Sequence, residues 1–482
     1  MKTINEQNKR IKMIKYLNIK FLLALVLLAT ISSAQVNTNW GLKISANKRY
    51  FTDSKGQPFF WLGDTGWLLF SKLNREEAEK YLEDRRAKGY NVIQAMVLHT
   101  VAAANVFGDS ALVNKSVAKP ITPAGNNPAI AAEYDYWDHV DFMVNLAAQK
   151  GMYMALVPIW GSNVKAGSVS RDEARTYATF LAERYKYKPN IIWLNGGDIR
   201  GNDSLATWKI IGETLRKNDP NHLITFHPFG RTTSSQWFHK EDWLDFNMYQ
   251  SGHRSYDLDT SKSEHRFGPD NYKFTNMDYK HTPFKPTLDG EPSYELIPHG
   301  LHDTTKPYWN SHDMRRYAYW SVFAGAAGHT YGHNSVMQMH KPTDKGSAYG
   351  SKKYWDAAMN DSGAIQMMHV KNLMLSKPYF DRVPDQSLIA GTQGEKYDYI
   401  LGTRGKNYAM LYTYTGKDFQ VRLGKLKGRK LKASWFNPRD GKTIEIGKVR
   451  NKGELTFNPP GEPAEGNDWV LVLKTSGRTK AL

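Results

Sequence analysis

Residues 191–200 read IIWLNGGDIR. Four apolar or aromatic residues, the composition of a strand buried on both faces, run directly into Asn195, two glycines and the carboxylate of Asp198. The flanks give the stretch its context. Upstream, Ser170 followed three residues later by Glu173 predicts a helix N-terminus, and Pro189-Asn190 breaks the chain before the apolar run. Downstream, SLATWKIIGETLRKN (204–218) has helical periodicity and leads to another apolar strand, LITFHP (223–228). Helix, strand, helix, strand is the order of a parallel sheet wrapped by helices.

The alternation extends in both directions. Asn74 with Glu77 predicts a capped helix that closes at Gly89 before NVIQAMVLH (91–99), and DYWDHVDFMVNLAAQKG (135–151) precedes YMALVPIW (153–160). FFWLGDT (59–65), FNMYQ (246–250), PTLDGE (286–291) and GHTYGHN (328–334) bring the predicted strands to eight. The steps average about 38 residues, as expected for a (β/α)8 barrel with insertions. A doubly wound open sheet normally has fewer strands, and the first strand–helix turn lacks Gly-x-Gly-x-x-Gly. Nearly every strand ends on a polar or aromatic residue: Asp64 and Trp67, His99, Trp160, Asn195 and Asp198, His227, Tyr249 and Gln250, Glu291, His329 and His333. A barrel gathers such ends on one face, which predicts a shared pocket.

The rest of the chain frames this barrel. LKISANKRYFTDSKGQPFFWLG (42–63) reads as a hairpin turning at Asp53 to Gly56. Lys9, Arg10, Lys12, Lys15 and Lys20 precede FLLALVLLATI and the small residues Ser32-Ser33-Ala34, so residues 1–34 are expected to be a cleaved signal peptide, with Met13 as an alternative start. That predicts an exported protein, periplasmic or secreted, with no membrane anchor. The sequence contains 0 Cys, which excludes disulfides, thiol catalysis and Cys-ligated metals. The barrel is expected over 35–383. SKPYFDRVPDQ (376–386) links it to short strands with glycine-rich turns, predicting an all-β sandwich over 384–482. Net charge is +18, and KLKGRKLK (425–432) concentrates part of it in the sandwich. Acidic polysaccharide, an anionic surface, or lysine-protected sheet edges all account for this, and export makes nucleic acid the least expected partner.

Two acids at opposite strand ends have a chemical meaning. Cleaving a glycosidic bond takes one protonated carboxyl for the leaving oxygen and one carboxylate to attack or stabilise the anomeric carbon. Aromatic walls suit the faces of the sugar. Asp198 ends the fourth predicted strand and Glu291 the seventh, which places them across a barrel mouth from each other. Asp289 lies deeper on the same strand and is expected to support the site, and Glu295 lies beyond on the loop. The competing reading of Asp198 is a helix N-cap after a glycine turn. The glycines favour a bent backbone that aims Asp198 into the pocket.

The segments FFWLGDTGWLLFSKLNREEAEKYLEDRRAKGYNVIQAMVL, IIWLNGGD, LDGEPSYE and GHTYGHNSV resemble, in order and spacing, glycoside hydrolase family 140, the apiosidase-like enzymes. The resemblance covers most of the chain from about residue 40 and implies a catalytic (β/α)8 barrel followed by a collagen-binding-type β-sandwich. It implies a retaining hydrolase with Asp198 as acid/base and Glu291 as nucleophile. Asp198 departs from the Asn-Glu usual at this strand in the wider clan, although Asp fits the narrower family. The implied reaction removes apiose-containing side chains from the pectin rhamnogalacturonan II, an acidic substrate. Candidate sugar-binding residues are Asp64, His99, Asn195, His227, Tyr249 and His333, with Trp67 and Trp160 as stacking walls. Neither cofactor nor metal is expected: His-Glu-x-x-His is missing, and His329 and His333 fall on a strand, where i,i+4 spacing does not match helical ligand geometry. Two alternatives remain: the same chemistry on another plant or host glycan, and a non-catalytic glycan-binding or adhesion protein. No oligomeric state is read from the sequence.

Overall fold

The computed structural model describes residues 41–475; the expected signal peptide lies outside them. Its centre is a parallel barrel of eight strands: β1 (Trp61–Thr65), β2 (Val92–Leu98), β3 (Tyr153–Ile159), β4 (Ile191–Ile199), β5 (Leu223–Pro228), β6 (Asn247–Gln250), β7 (Thr287–Asp289) and β8 (Gly328–Tyr331). Strand pairs run in order from β1 to β5 and from β6 to β8, and β8 closes back onto β1 with His329 opposite Leu62. The expected barrel is thus present, and each predicted strand falls on one of these eight.

The seam between β5 and β6 carries no regular ladder. It is closed by the Asp245 N–H donating to Ile224 O at 2.8 Å and by Thr225 Oγ1 donating to Phe246 O at 2.6 Å. The connection across this seam carries only the four-residue helix Ser235–Phe238, and its short strand Thr232–Thr233 pairs antiparallel with β6. Elsewhere full helices cover the ring. The predicted boxes are formed: Asn74 with Glu77 opens the helix Arg75–Ala87, and Ser170 with Glu173 opens Arg171–Tyr185. Each satisfies two otherwise orphaned N–H groups.

The three short strands Lys43–Ile44, Phe51–Thr52 and Pro58–Phe59 form the predicted antiparallel hairpin sheet. Phe51 meets Phe246 edge-on, with ring centroids 5.1 Å apart, and lies 6.1 Å from Trp61. The hairpin therefore covers the end where β1 and β6 begin, leaving the opposite, C-terminal ends for the site.

Beyond the barrel a six-stranded and a three-stranded antiparallel sheet enclose their own core, which includes Leu411, Val421, Trp435, Phe457 and Leu471. The other face of the large sheet lies on the barrel: Tyr412 stacks on Tyr319 at 4.8 Å, and Met410, Phe436 and Val472 join the barrel's hydrophobic core. Arg315 on the helix Ser311–Phe323 grips buried Asp468 in the sandwich, Nε to Oδ2 at 2.9 Å and Nη2 to Oδ1 at 2.8 Å.

Candidate active site

The Asn-Gly-Gly-Asp stretch is a bulge at the end of β4. Opposite β5, Gly196 pairs with His227 but Ile199 pairs with Pro228, so Gly197 and Asp198 are extra to the ladder. Gly196, Gly197 and Asp198 have φ of 96°, 106° and 46°. Left-handed backbone suits glycine, and there is no room for a side chain: a Cβ on Gly196 would lie 2.7 Å from His227 O, and one on Gly197 2.7 Å from the Trp160 ring. The next helix begins at Leu205 with Ser204 at its N-cap position, so Asp198 is not a helix cap. The bulge turns its side chain into a cavity of about 540 Å³ at the barrel mouth.

Glu291 lies two residues beyond β7 and faces the same cavity, 6% exposed. Two imidazoles flank its carboxylate. His253 Nε2 lies 3.3 Å from Oε1, and His227 Nε2 lies 3.2 Å from Oε2, off the line of a full hydrogen bond. The Asp198 backbone N–H donates to His227 Nδ1 at 3.3 Å. That bond makes Nδ1 the acceptor, so the proton of a neutral His227 sits on Nε2, toward Glu291. A single backbone group thus couples the bulge carrying one acid to the ring supporting the other.

These surroundings drive the two carboxyls apart. Desolvation, reinforced by the charge of Glu291, raises Asp198 to about 7. Burial pushes Glu291 upward as well, but the combined contacts and charges of His227 and His253 outweigh it and hold Glu291 below its ordinary value. The cavity therefore keeps a proton on Asp198 in preference to Glu291, the pairing that acid/base glycosidic chemistry requires.

The walls are aromatic and basic. Trp67 and Trp160 line the cavity with ring centroids 5.3 Å apart, and His227 lies 5.3 Å from Trp67 and 6.0 Å from Trp160. Trp67 Nε1 donates to Tyr294 OH at 3.0 Å, and the Tyr294 ring meets His253 at 4.7 Å. Arg231 and Arg254 contribute guanidinium groups. Arg231 lies 3.6 Å from Asp259 and 3.5 Å from Glu264, whereas Arg254 donates to the backbone oxygen of Leu258 at 3.1 Å. Asp289 is fully buried, pushed up to about 7 by burial, and accepts from Ser251 Oγ at 2.7 Å and Asn271 Nδ2 at 3.0 Å. It anchors the loop that brings in His253.

The expected binding residues divide by which face of the sheet they occupy. Trp67 and Trp160 line the cavity, and His227 stands behind Glu291. Asp64, His99, Asn195, Tyr249 and His333 do not line it. Asp64 pairs with Arg85 at 2.8 Å and accepts from Tyr81 OH at 2.6 Å, both from the covering helix. Asn195 Nδ2 donates to Trp208 O at 2.8 Å, and the Tyr249 hydroxyl meets Thr275 Oγ1 at 2.7 Å. Successive strand residues point to opposite faces, so these three end on the helix layer. Gln250, next to Tyr249, lines the cavity instead. His99 contacts Ser71 Oγ at 3.1 Å. His333 caps the helix Asn334–Met337, accepting from the Ser335 N–H at 3.0 Å, and approaches Asp361 at 3.0 Å. Glu295 is likewise structural, accepting from Tyr331 OH at 2.5 Å. His253, Arg231 and Arg254 escaped the sequence reading because they sit on loops without periodicity. Tyr294 falls within the LDGEPSYE segment, where no spacing distinguishes it from its neighbours.

A family profile described as "Apiosidase-like, catalytic domain" matches residues 45–381, and one described as "Putative collagen-binding domain of a collagenase" matches residues 383–474. No curated protein matches the chain. Among solved structures, one described as "Glycoside hydrolase" is 47% identical with a TM-score of 0.86, over 92% of this chain and 98% of its own. A glycoside hydrolase family 5 structure from Bacteroides vulgatus ATCC 8482 is 44% identical with a TM-score of 0.86, over 92% and 95%. A third, from the same organism, is 12% identical with a TM-score of 0.63, over 92% and 83%, and speaks to the fold alone.

Proposed function

The chain belongs to the apiosidase-like glycoside hydrolases, and from that premise we propose a retaining enzyme, of the glycoside hydrolase family 140 type, that trims apiose-bearing side chains from rhamnogalacturonan II or a closely related pectic glycan. The observation that carries the hydrolase assignment is Glu291, held as a carboxylate between His227 and His253 while Asp198, on the same cavity, is favoured in its neutral form; the retaining course is taken from the family resemblance.

In the first step Asp198 gives its proton to the glycosidic oxygen as the bond to the anomeric carbon breaks. Glu291 supplies the electron pair for the new ester bond. With the leaving alcohol gone, Asp198 is a carboxylate. It takes a proton from water, whose oxygen attacks the anomeric carbon, and Glu291 departs with its electron pair. Trp67 and Trp160 offer ring faces to the sugar, and Tyr294 holds Trp67 in place through its hydroxyl.

Arg254, on the cavity wall and donating to the backbone oxygen of Leu258, supports an acidic substrate, since a guanidinium matches a uronate carboxylate in a two-pronged contact. The leader-like sequence before residue 35 supports export to the periplasm or beyond, where such polysaccharides are met. The test is a panel of pectic side-chain oligosaccharides, apiose-terminated and not, given to the purified protein. Release of apiose from the former alone is expected. Release of a different sugar overturns the substrate assignment, and loss of no sugar from any glycan overturns both.

A further inference from the structure

The large sheet of the sandwich carries a charge arrangement that folding alone disfavours. Across three neighbouring strands, Lys474 (Trp469–Thr475), Lys432 (Lys430–Phe436) and Lys448 (Thr443–Arg450) stand in register, Lys432 directly opposite each of the others. Opposed residues in an antiparallel sheet project from the same face, and like charges so placed repel. The adjacent rung is doubly basic again, with Lys430 opposite Arg450. A further ammonium, Lys377, arrives just beyond the barrel helix Ser362–Leu375 and bonds the hydroxyl of Ser376 at 2.7 Å. Burial, with Lys474 adding repulsion, lowers Lys377 to about 8.

Lys377, Lys432 and Lys474 line a cleft of about 510 Å³ between that helix and the sheet, together with the hydroxyls of Ser434 and Thr443 and one acid, Glu445. Among the described residues, none of these three lysines forms an ion pair with a carboxylate. The cleft lies at the end of the barrel remote from the catalytic cavity. The helix runs antiparallel to the strands, and near its end Lys371 reaches Gly89 O at 2.6 Å, just before β2 begins.

We infer that this cleft is a second saccharide-binding site, which holds carboxylates of a uronate polysaccharide backbone against Lys377, Lys432 and Lys474. Neighbouring strands are about 4.8 Å apart, a spacing comparable to the advance of one sugar ring along an extended chain. Lys432 and Lys474 at that interval within the cleft, with Lys448 continuing the row outside it, fit a regularly charged polymer better than a compact anion. The hydroxyls beside the lysines add donors and acceptors for ring hydroxyls. Because the cleft and the cavity are at opposite ends of the barrel, the site tethers the polymer and leaves the cleavage step alone. The proposal is independent of which sugar the cavity removes.

Affinity electrophoresis through gels containing polygalacturonate tests it. Wild type is expected to be retarded by polygalacturonate and not by its fully methyl-esterified form. K377Q/K432Q/K474Q should bind about ten-fold more weakly, whereas K425Q/K427Q/K452Q, with the same loss of charge elsewhere on the sandwich, should bind as wild type does. E291Q should be retarded normally, which separates the tether from catalysis. Relief of repulsion means that the cleft variant should melt no lower than wild type, so weaker binding cannot be ascribed to unfolding. Equal losses in both triple variants, retardation by the esterified polymer, stronger retardation by heparin than by polygalacturonate, or an unaffected cleft variant would each overturn the assignment.

Discussion

Asp and Glu differ little as free side chains, so the division of labour at this site comes from what surrounds each one. Asp198 is raised to about 7 first by desolvation and then by Glu291, and Glu291 is lowered by two imidazoles acting against its own burial. In the proposed mechanism the productive form has Asp198 protonated and Glu291 ionised. Activity should therefore fall as pH rises through about 7 and persist downward to below the ordinary carboxylate range. Replacing His253 with Ala removes one support of the Glu291 carboxylate. The acidic limb of kcat/KM against pH should then move upward by roughly one unit, and an unmoved limb would show that His253 has no such role. Arg254→Gln addresses substrate charge. On a uronate-bearing substrate KM should rise about ten-fold with kcat kept, and on a neutral analogue neither should change. Little of this was legible beforehand. The acids stood out because each ended an apolar run in an unusual turn, but His253 and Arg254 lie on irregular loops whose path depends on packing remote in sequence.

At the scale of the element, β4 shows what the glycines accomplish. A plain strand end would have paired residue for residue with β5, whereas the bulge inserts Gly197 and Asp198 against Trp160 and His227. Gly197→Ala forces a Cβ into the Trp160 ring at a left-handed φ of 106°. The expected result is a stability loss of more than about 1 kcal/mol by denaturant unfolding, with kcat reduced far more than that loss explains, because Asp198 is re-aimed. A variant with wild-type kcat would mean that the bulge does not position the acid. The strands could be read from apolar or aromatic runs with flanking helix signals, and PTLDGE and GHTYGHN from their place in the alternation. Which residue of each strand end faced inward could not, because one residue of register exchanges the two faces. That is why Asp64, Asn195 and Tyr249, polar and at strand ends, proved to hold helices while neighbouring Gln250 faces the cavity.

For the whole molecule, the sandwich is part of the barrel's support. Asp468, fully buried, accepts from Arg315, and Arg316 beside it is enclosed by Tyr317, Trp320, Tyr397 and Tyr414 from both domains. Asp468→Ala strands the Arg315 charge without its partner and should cost about 3–5 kcal/mol. Calorimetry is expected to show barrel and sandwich still melting in one transition at lower temperature; an unchanged midpoint would assign the contact no structural weight. The composition change near Pro384 made the second domain visible in the sequence, but its docking depends on side chains far apart along the chain, such as Arg315 and Asp468. The proposed mechanism has Glu291 taking the sugar covalently while Asp198 serves as acid and base. Asp198→Ala, given an aryl glycoside of the cleaved sugar whose leaving group needs no proton, should form the ester and then stall for want of a base. Peptide mapping by mass spectrometry of the acid-quenched protein is predicted to find one glycosyl unit on Glu291. A glycosyl unit on any other residue, or turnover to product of inverted configuration with no adduct, would contradict the account.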